Sequence, residues 1–75
     1  MAPHPNAKTI AETWAQWNES HLLHGPLVRE ETGASLFLFE SAIGPIGANV
    51  SQGLYGILVI TPDGKVYESL GLTGH

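Results

Sequence analysis

The first third of the chain has the hydrophobic spacing of an amphipathic helix. Apolar positions recur every three or four residues, at Ile10, Trp14, Trp17 and His21, with Ala7, Ala11 and Ala15 beside them and Glu12, Gln16 and Glu19 opposite. Thr9 and Glu12 fit a capping box, whereas Asn6 would cap an earlier start, and Gly25-Pro26 is typical of a helix stop. The pattern predicts a helix from about residue 7 or 10 to residue 24.

The remainder of the chain has the pattern of strands separated by turn residues. Residues 27–31 and 35–40 flank Thr32-Gly33-Ala34, and residues 53–61 and 65–70 flank Pro62-Asp63-Gly64. Glycine after Pro-Asp, or inside a short connection, supplies the positive φ that tight turns require. The sequence therefore predicts a two-layer α+β domain, in which one N-terminal helix packs on a mostly antiparallel sheet of three to four strands (α-β-β-β-β).

Both faces of the predicted sheet are apolar. Strand side chains alternate between faces, so Leu36 and Leu38 oppose Phe37 and Phe39, and Leu58 and Ile60 oppose Ile57 and Val59. One helix covers only one face. The other face must be met by the loop from Ile43 to Val50 or by a second copy of the chain, and the second copy is the simpler solution. The last strand carries Lys65 and Glu68, which is typical of a sheet edge.

The composition indicates one small domain with a thin core. The chain has 75 residues, of which 43% are hydrophobic, 13% are charged and none is cysteine. Because a chain of this size has no disulfide to support a small core, self-association is the expected stabiliser. Residues 1–6 are predicted to form a flexible N-terminal arm, residues 41–52 a long Gly- and Pro-containing loop, and residues 71–75 a flexible tail.

The charge balance and the chain ends exclude several classes of partner. The three cations, Lys8, Arg29 and Lys65, in a chain with a net charge of −4 are too few and too scattered to neutralise several phosphates, so no nucleic-acid partner is expected. No apolar run approaches the ~20 residues that span a bilayer, and no leader pattern precedes the helix. A cytoplasmic protein without a membrane partner is the expectation.

One long segment is nearly free of charge. Between Thr32 and Pro62 the only charged residue is Glu40. Uncharged apolar surface of this kind is typical of stable protein interfaces. The sequence therefore predicts a non-enzymatic interaction module, a regulator, inhibitor or accessory subunit, that binds itself as a homodimer or binds a partner protein. The candidate interface residues are Ile43, Pro45, Ile46, Val50, Leu54, Tyr55 and Trp17.

An alternative interpretation is a small enzyme or ligand-binding protein whose pocket forms between subunits. Its lining would be Phe37, Phe39 and Tyr55, with Glu40 and His21 as the polar groups. A carboxyl group at the end of an apolar strand would have the raised pKa that suits acid-base work. No triad or nucleophile motif specifies a reaction, so no catalytic residue is predicted.

Metal and cofactor sites are not predicted. His21 and His24, three apart on a helix, would be spaced to reach one metal ion, but two ligands do not make a site. The same residues fit the end of the apolar stripe and the last helical turn. Gly44 and Gly47 lie in a segment that lacks the lysine and the Ser/Thr of a phosphate-binding loop.

Overall fold

The computed structural model describes residues 2–41 and 54–73, which form one helix and four strands. The elements are α1 (Ala7–Trp17), β1 (Ser20–Arg29), β2 (Ala34–Ser41), β3 (Leu54–Ile60) and β4 (Val66–Thr73). The strands form one antiparallel sheet in the order β1-β2-β3-β4, and α1 packs on one side of it. The predicted two-layer α+β fold is confirmed. Of the predicted loop over residues 41–52, only Ser41 lies in the described ranges, where it ends β2.

Helix α1 begins at Ala7, the earlier of the two predicted starts. Asn6 is the N-cap residue, although its side chain makes no capping hydrogen bond, and its backbone N–H donates to His4 Nδ1 at 3.0 Å. The buried side of the helix consists of alanines, Ala7, Ala11 and Ala15. Because small side chains shorten the distance at which a helix can pack, this stripe lets α1 lie close to the sheet.

The predicted helical end at residue 24 is wrong, because α1 ends at Trp17. The backbone and side-chain amides of Asn18 both donate to the Trp14 carbonyl, at 3.0 and 2.8 Å. Glu19 then adopts a left-handed φ of 51°, which turns the chain away from the helix axis. Residues 20–24 instead pair with β2, whose backbone supplies the hydrogen bonds that a longer helix would have supplied.

Gly25-Pro26, predicted to stop the helix, lies inside β1. The Gly25-Pro26 peptide bond is cis, and the pairing of β1 with β2 shifts register between Leu22 and His24 and again between His24 and Leu27. Gly25 has a φ of 136°, and a Cβ at this position would lie 2.7 Å from the Leu36 carbonyl oxygen. The glycine therefore allows the irregular strand to stay close to β2.

Both predicted hairpins are confirmed. The first is longer than predicted, since β1 starts at Ser20, and its turn closes with Gly33 in a left-handed conformation (φ 73°) and the Gly33 N–H donating to the Arg29 carbonyl at 2.7 Å. In the second turn Gly64 has a φ of 90° and its N–H donates to the Thr61 carbonyl at 2.9 Å. Strand β4 is an edge of the sheet, as its charges predicted.

The core lies between α1 and one face of β2 and β3. Phe37, Phe39, Leu58 and Ile60 are each no more than 2% exposed. The Trp14 ring meets the Phe39 ring edge to face, with centroids 4.8 Å apart. Gly56 is the cross-strand partner of Phe39, and a Cβ on Gly56 would lie 2.5 Å from the ring. The missing side chain at residue 56 therefore makes room for the largest aromatic contact of the core.

Candidate functional site

The side of the sheet opposite α1 is the main candidate for function. Residues directly opposite one another in antiparallel strands share a face, so the register defines rows of side chains across the sheet. We call this side the open face and its rows the polar row, the middle row and the apolar row. The polar row contains His21, Glu40 and Tyr55; the middle row contains His24, Leu38, Ile57 and Ser69; the apolar row contains Leu27, Leu36, Val59 and Tyr67.

The open face differs from the core in its exposure. Leu36, Leu38, Ile57 and Val59 are only partly buried, although they alternate with residues that are almost completely buried. Towards the sheet edges, Leu27 is 64% exposed and Tyr67 is 55% exposed. In the described part of the chain no element packs on this face. Among residues 2–41 and 54–73, its aliphatic side chains are covered only by their neighbours in the same sheet.

The open face is mainly apolar, and its area can be estimated from the sheet geometry. Four strands about 4.8 Å apart and rows that span roughly 20 Å along the strands give on the order of 400 Å² in projection. Monomeric proteins rarely leave contiguous apolar patches larger than a few hundred Å² without a function for them. The open face is therefore comparable in size with the largest apolar patch of a typical monomer, about 300–600 Å².

Two charged residues lie on or beside the rows of the open face: Glu40 is in the polar row, and Arg29 pairs with Ala34 next to the apolar row. Arg29 and Glu31 approach to 3.7 Å and Lys65 and Asp63 to 4.0 Å, and both pairs are well exposed at the turns. Exposed pairs of this kind contribute little to stability. The hydroxyl of Thr61 donates a hydrogen bond to Asp63, which lowers the pKa of that carboxyl. Within the rows themselves, Glu40 is the only carboxylate.

The predicted interface residues fall into three groups. Tyr55 lies in the polar row of the open face. Trp17 is 83% exposed, but it ends α1 on the other side of the sheet, so the fold does not bring it together with Tyr55. Leu54 is the first residue of β3. The remaining predicted positions, Ile43, Pro45, Ile46 and Val50, lie outside the described residues.

The residues of the alternative ligand pocket are divided between the two faces. Phe37 and Phe39 are buried against α1, whereas Glu40, Tyr55 and His21 form the polar row. The sheet itself separates the two sets. Within one chain these five side chains do not line a common space.

The two histidines singled out by spacing lie on a strand. His21 and His24 are both on β1, where they pair with Glu40 and Leu38 of β2. The prediction that the two imidazoles lie three residues apart on a helix is therefore wrong. Both residues are exposed. Among residues 2–41 and 54–73, no group of three or more His, Asp or Glu side chains is placed to hold a metal ion.

Two depressions lie along the junction of α1 and β1. The larger, about 820 Å³, has a mixed lining that includes Glu12, Glu19, His21 and Leu22, and the smaller, about 220 Å³, lies between Lys8 and Phe37. Among the described residues, no hydrogen bond or ion pair joins Glu12, Glu19 and His21 through their side chains. Among the described residues, the larger depression therefore lacks the linked acid and base of a catalytic site.

Sequence reasoning missed part of the open face because it assigned residues 20–24 to the helix. His21 and His24 were consequently placed on a helical surface and not beside Glu40 and Leu38. Asn18 was the available signal, since its side-chain amide can donate to a carbonyl of the last helical turn, as it does to Trp14.

No helix in the described part of the chain is long and apolar enough to cross a membrane. No protein-family model, no curated protein and no solved structure matches this chain.

Proposed function

We propose that this protein is a non-enzymatic interaction module, a small regulator, inhibitor or accessory subunit, that acts as a homodimer through its open face. The observation that carries the proposal is the exposure of Leu36, Leu38, Ile57 and Val59 on the side of the sheet opposite α1. Removing apolar surface from water contributes roughly 25 cal/mol per Å². The free energy of binding of a partner that covers this face includes that favourable contribution.

The area of the open face supports a second copy as the partner. Two faces on the order of 400 Å² each bury about 800 Å² in total, which is below the ~1,000 Å² of most specific interfaces and in the range of weak, transient ones. A two-fold pair uses the same patch on both copies, so one apolar face is sufficient for a closed dimer. We therefore expect a small interface and a weak dimer, which dissociates into monomers when the protein is diluted.

The small core supports the same proposal. Only four large side chains, Phe37, Phe39, Leu58 and Ile60, are nearly fully buried among the described residues, and the other buried apolar residues are alanines. Small domains without disulfides are commonly stabilised by oligomerisation. Burial of the open face would more than double the number of large apolar side chains removed from water.

The alternative ligand-binding function is not favoured by the described residues, since its aromatic residues Phe37 and Phe39 lie on the opposite face of the sheet from Glu40, Tyr55 and His21. We accordingly expect the dimer to act in the cytoplasm, without a cofactor and without a catalytic residue.

The test is sedimentation equilibrium of the wild-type chain over a wide concentration range, beside two matched aspartate variants. Leu38→Asp places a charge in the middle row, whereas Leu23→Asp alters a leucine that is 49% exposed on β1 and lines the depression next to α1. We expect a concentration-dependent dimer for the wild type and for Leu23→Asp, and a monomer with an unchanged helical circular dichroism signal for Leu38→Asp.

A wild-type chain that stays monomeric at every concentration would overturn the proposal, and would mean that a different protein or other residues of the same chain cover the face. Equal dimerisation of the Leu38→Asp and wild-type chains would exclude the open face as the interface.

A further inference from the structure

His4 supplies the hydrogen-bond acceptors at the start of α1. The backbone N–H of Asn6 donates to His4 Nδ1 at 3.0 Å, and the N–H of Ala7 donates to the His4 carbonyl at 3.2 Å. The Asn6 side chain, which is in the N-cap position, makes no capping hydrogen bond. The imidazole ring of His4 therefore does the work that a capping side chain usually does, by accepting from a backbone N–H that has no partner within the helix.

The same ring lies beside the turn between β3 and β4. A Cβ built on Gly64 would be 3.5 Å from His4 Nε2 and 3.6 Å from His4 Cδ2, which is an ordinary contact distance. Gly64 is fixed in position by its own N–H, which donates to the Thr61 carbonyl at 2.9 Å. The half-buried His4 therefore lies between the start of α1 and the turn of the second hairpin.

The hydrogen bond from Asn6 requires a particular protonation state of the ring. In a neutral imidazole one nitrogen carries a proton and the other accepts, whereas both nitrogens are donors in the imidazolium ion. Because Nδ1 of His4 accepts from the Asn6 N–H, its lone pair must be free and the proton of the neutral ring is on Nε2. A proton on Nδ1 would replace this attraction with a contact between two donors.

The charged groups on the neighbouring elements do not reverse that effect. The first two turns of α1 carry Lys8 and Glu12, and the hairpin turn carries Asp63 and Lys65, so each element has one acid and one base. Asp63 already has Lys65 at 4.0 Å, and in the described ranges none of the four forms an ion pair with His4. The positive end of the α1 macrodipole adds a repulsion that disfavours a cation at this position.

We propose that His4 is a pH-sensitive attachment point, whose neutral ring holds residues 2–6 to the start of α1 and beside the second hairpin turn, and whose protonation at Nδ1 releases them. The stability that this contact contributes is present where the ring is neutral and is lost as the pH falls through its titration. Release leaves the Asn6 N–H without its acceptor and allows the first turn of α1 to fray. The switch belongs to the single chain and does not require the proposed dimer.

NMR spectroscopy of the full chain at about pH 7.5 and about pH 5 tests the attachment, since imidazoles ordinarily titrate between these values. The nuclear Overhauser effect between the His4 ring protons and the Gly64 α protons reports the contact, and amide exchange reports the protection of the Asn6 N–H. We expect both to fall roughly threefold to tenfold at the lower pH, as the loss of one hydrogen bond predicts. The Thr61 hydroxyl lowers the pKa of Asp63, so that carboxylate stays charged at both values.

The inference would be overturned if the His4 ring titrated while both signals stayed the same or became stronger in acid. It would also be overturned if the ring remained neutral at the lower pH. Equal results at two protein concentrations would separate the release from any change in dimerisation.

His4→Asn separates the acceptor from the titration. The asparagine side-chain oxygen can accept from the N–H two residues on, as Nδ1 does, and it does not titrate. We expect the protection of the Asn6 amide in this variant to differ by less than about twofold between the two pH values. His21→Asn, which alters an exposed histidine on β1, is the matched control and should keep the pH dependence of the wild type. A wild-type pH dependence in His4→Asn would place the titrating group elsewhere and contradict the assignment.

His4→Phe separates the acceptor from the bulk of the ring. Phenylalanine keeps an aromatic ring beside Gly64 but has no lone pair to accept from Asn6. We expect its Asn6 protection to be as low at about pH 7.5 as that of the wild type at about pH 5. Protection equal to that of the neutral wild type would mean that packing, and not Nδ1, holds residues 2–6, and would overturn the inference.

Discussion

The two faces of the sheet are made by the same strands and differ in what covers them. On the helix side, Phe37, Phe39, Leu58 and Ile60 are nearly inaccessible to water, whereas their neighbours one residue away on the open face are only half-buried. Both sets are apolar and both alternate with the same period. The difference teaches that apolar alternation does not reveal which of two apolar faces the helix covers.

The faces also differ in how closely a second layer can approach. The helix side has an alanine stripe on α1 and Gly56 on β3, and together they let the Trp14 and Phe39 rings lie between helix and sheet. The rows of the open face contain no glycine and consist mainly of Leu, Ile, Val and Tyr. Such a surface is suited to another flat sheet at a spacing of about 10 Å.

Of the changes that distinguish the two faces, removal of the Phe39 ring is expected to lower stability most. Phe39→Ala removes a fully buried ring that contacts Trp14, so we expect it to lower the free energy of unfolding by about 3–5 kcal/mol. Leu38→Ala, one residue away on the open face, should cost less and should act mainly on association. Urea unfolding at low and high protein concentration measures both.

If Leu38→Ala destabilised the chain as much as Phe39→Ala at a concentration where the protein is monomeric, the distinction between a covered and an open face would fail.

A smaller effect is expected from closing the space beside Phe39. Gly56→Ala would place a methyl group 2.5 Å from the ring and against the Ser69 carbonyl, and overpacking of this kind costs about 1–3 kcal/mol. Phe39→Leu shortens the side chain that meets the methyl. The double variant Gly56→Ala/Phe39→Leu should therefore lose less stability than the sum of the single variants, as measured by thermal unfolding.

Additive losses in the double variant would show that the strain at Gly56 comes from the β4 backbone and not from the ring.

The smallest expected effect is a gain in stability at the end of α1. Glu19 has a left-handed φ of 51°, which glycine adopts without strain, so Glu19→Gly should stabilise the fold by about 1 kcal/mol. Glu12→Gly, in the middle of the same helix, should instead destabilise it by about 1 kcal/mol. The melting temperature should therefore rise in the Glu19→Gly variant and fall in the Glu12→Gly variant.

Because Glu19 lies outside the rows of the open face, its replacement should leave the dimer dissociation constant unchanged. A change in both stability and dissociation constant would indicate that the end of α1 takes part in the interface.

The predicted hairpins show where local sequence is sufficient. Pro62-Asp63-Gly64 forms the expected turn because its conformation depends on φ preferences within three residues. The alternation of Leu36 to Phe39 likewise places those side chains on opposite faces without reference to any other element.

The segment from Ser20 to His24 shows where local sequence is insufficient. Its leucines and histidines fit the end of a helical stripe and also fit a strand beside β2. The choice depends on backbone partners that lie some twenty residues away in the chain. The candidate site was therefore predicted in part: the apolar strand faces and Tyr55 were identified, but the position of His21 and His24 beside Glu40 and Leu38 was not.

The sequence by itself determined one helix, four strands, both confirmed turns and the apolar character of both sheet faces, because each of these depends on spacing or on the conformational preference of a few adjacent residues. The tertiary structure decided that α1 stops at Trp17, that Gly25-Pro26 lies within β1, and that α1 covers the face of Phe37 and Phe39. Those outcomes depend on the backbone hydrogen bonds offered by β2 and on the fit of the alanine stripe against the aromatic core, which form only when distant parts of the chain meet.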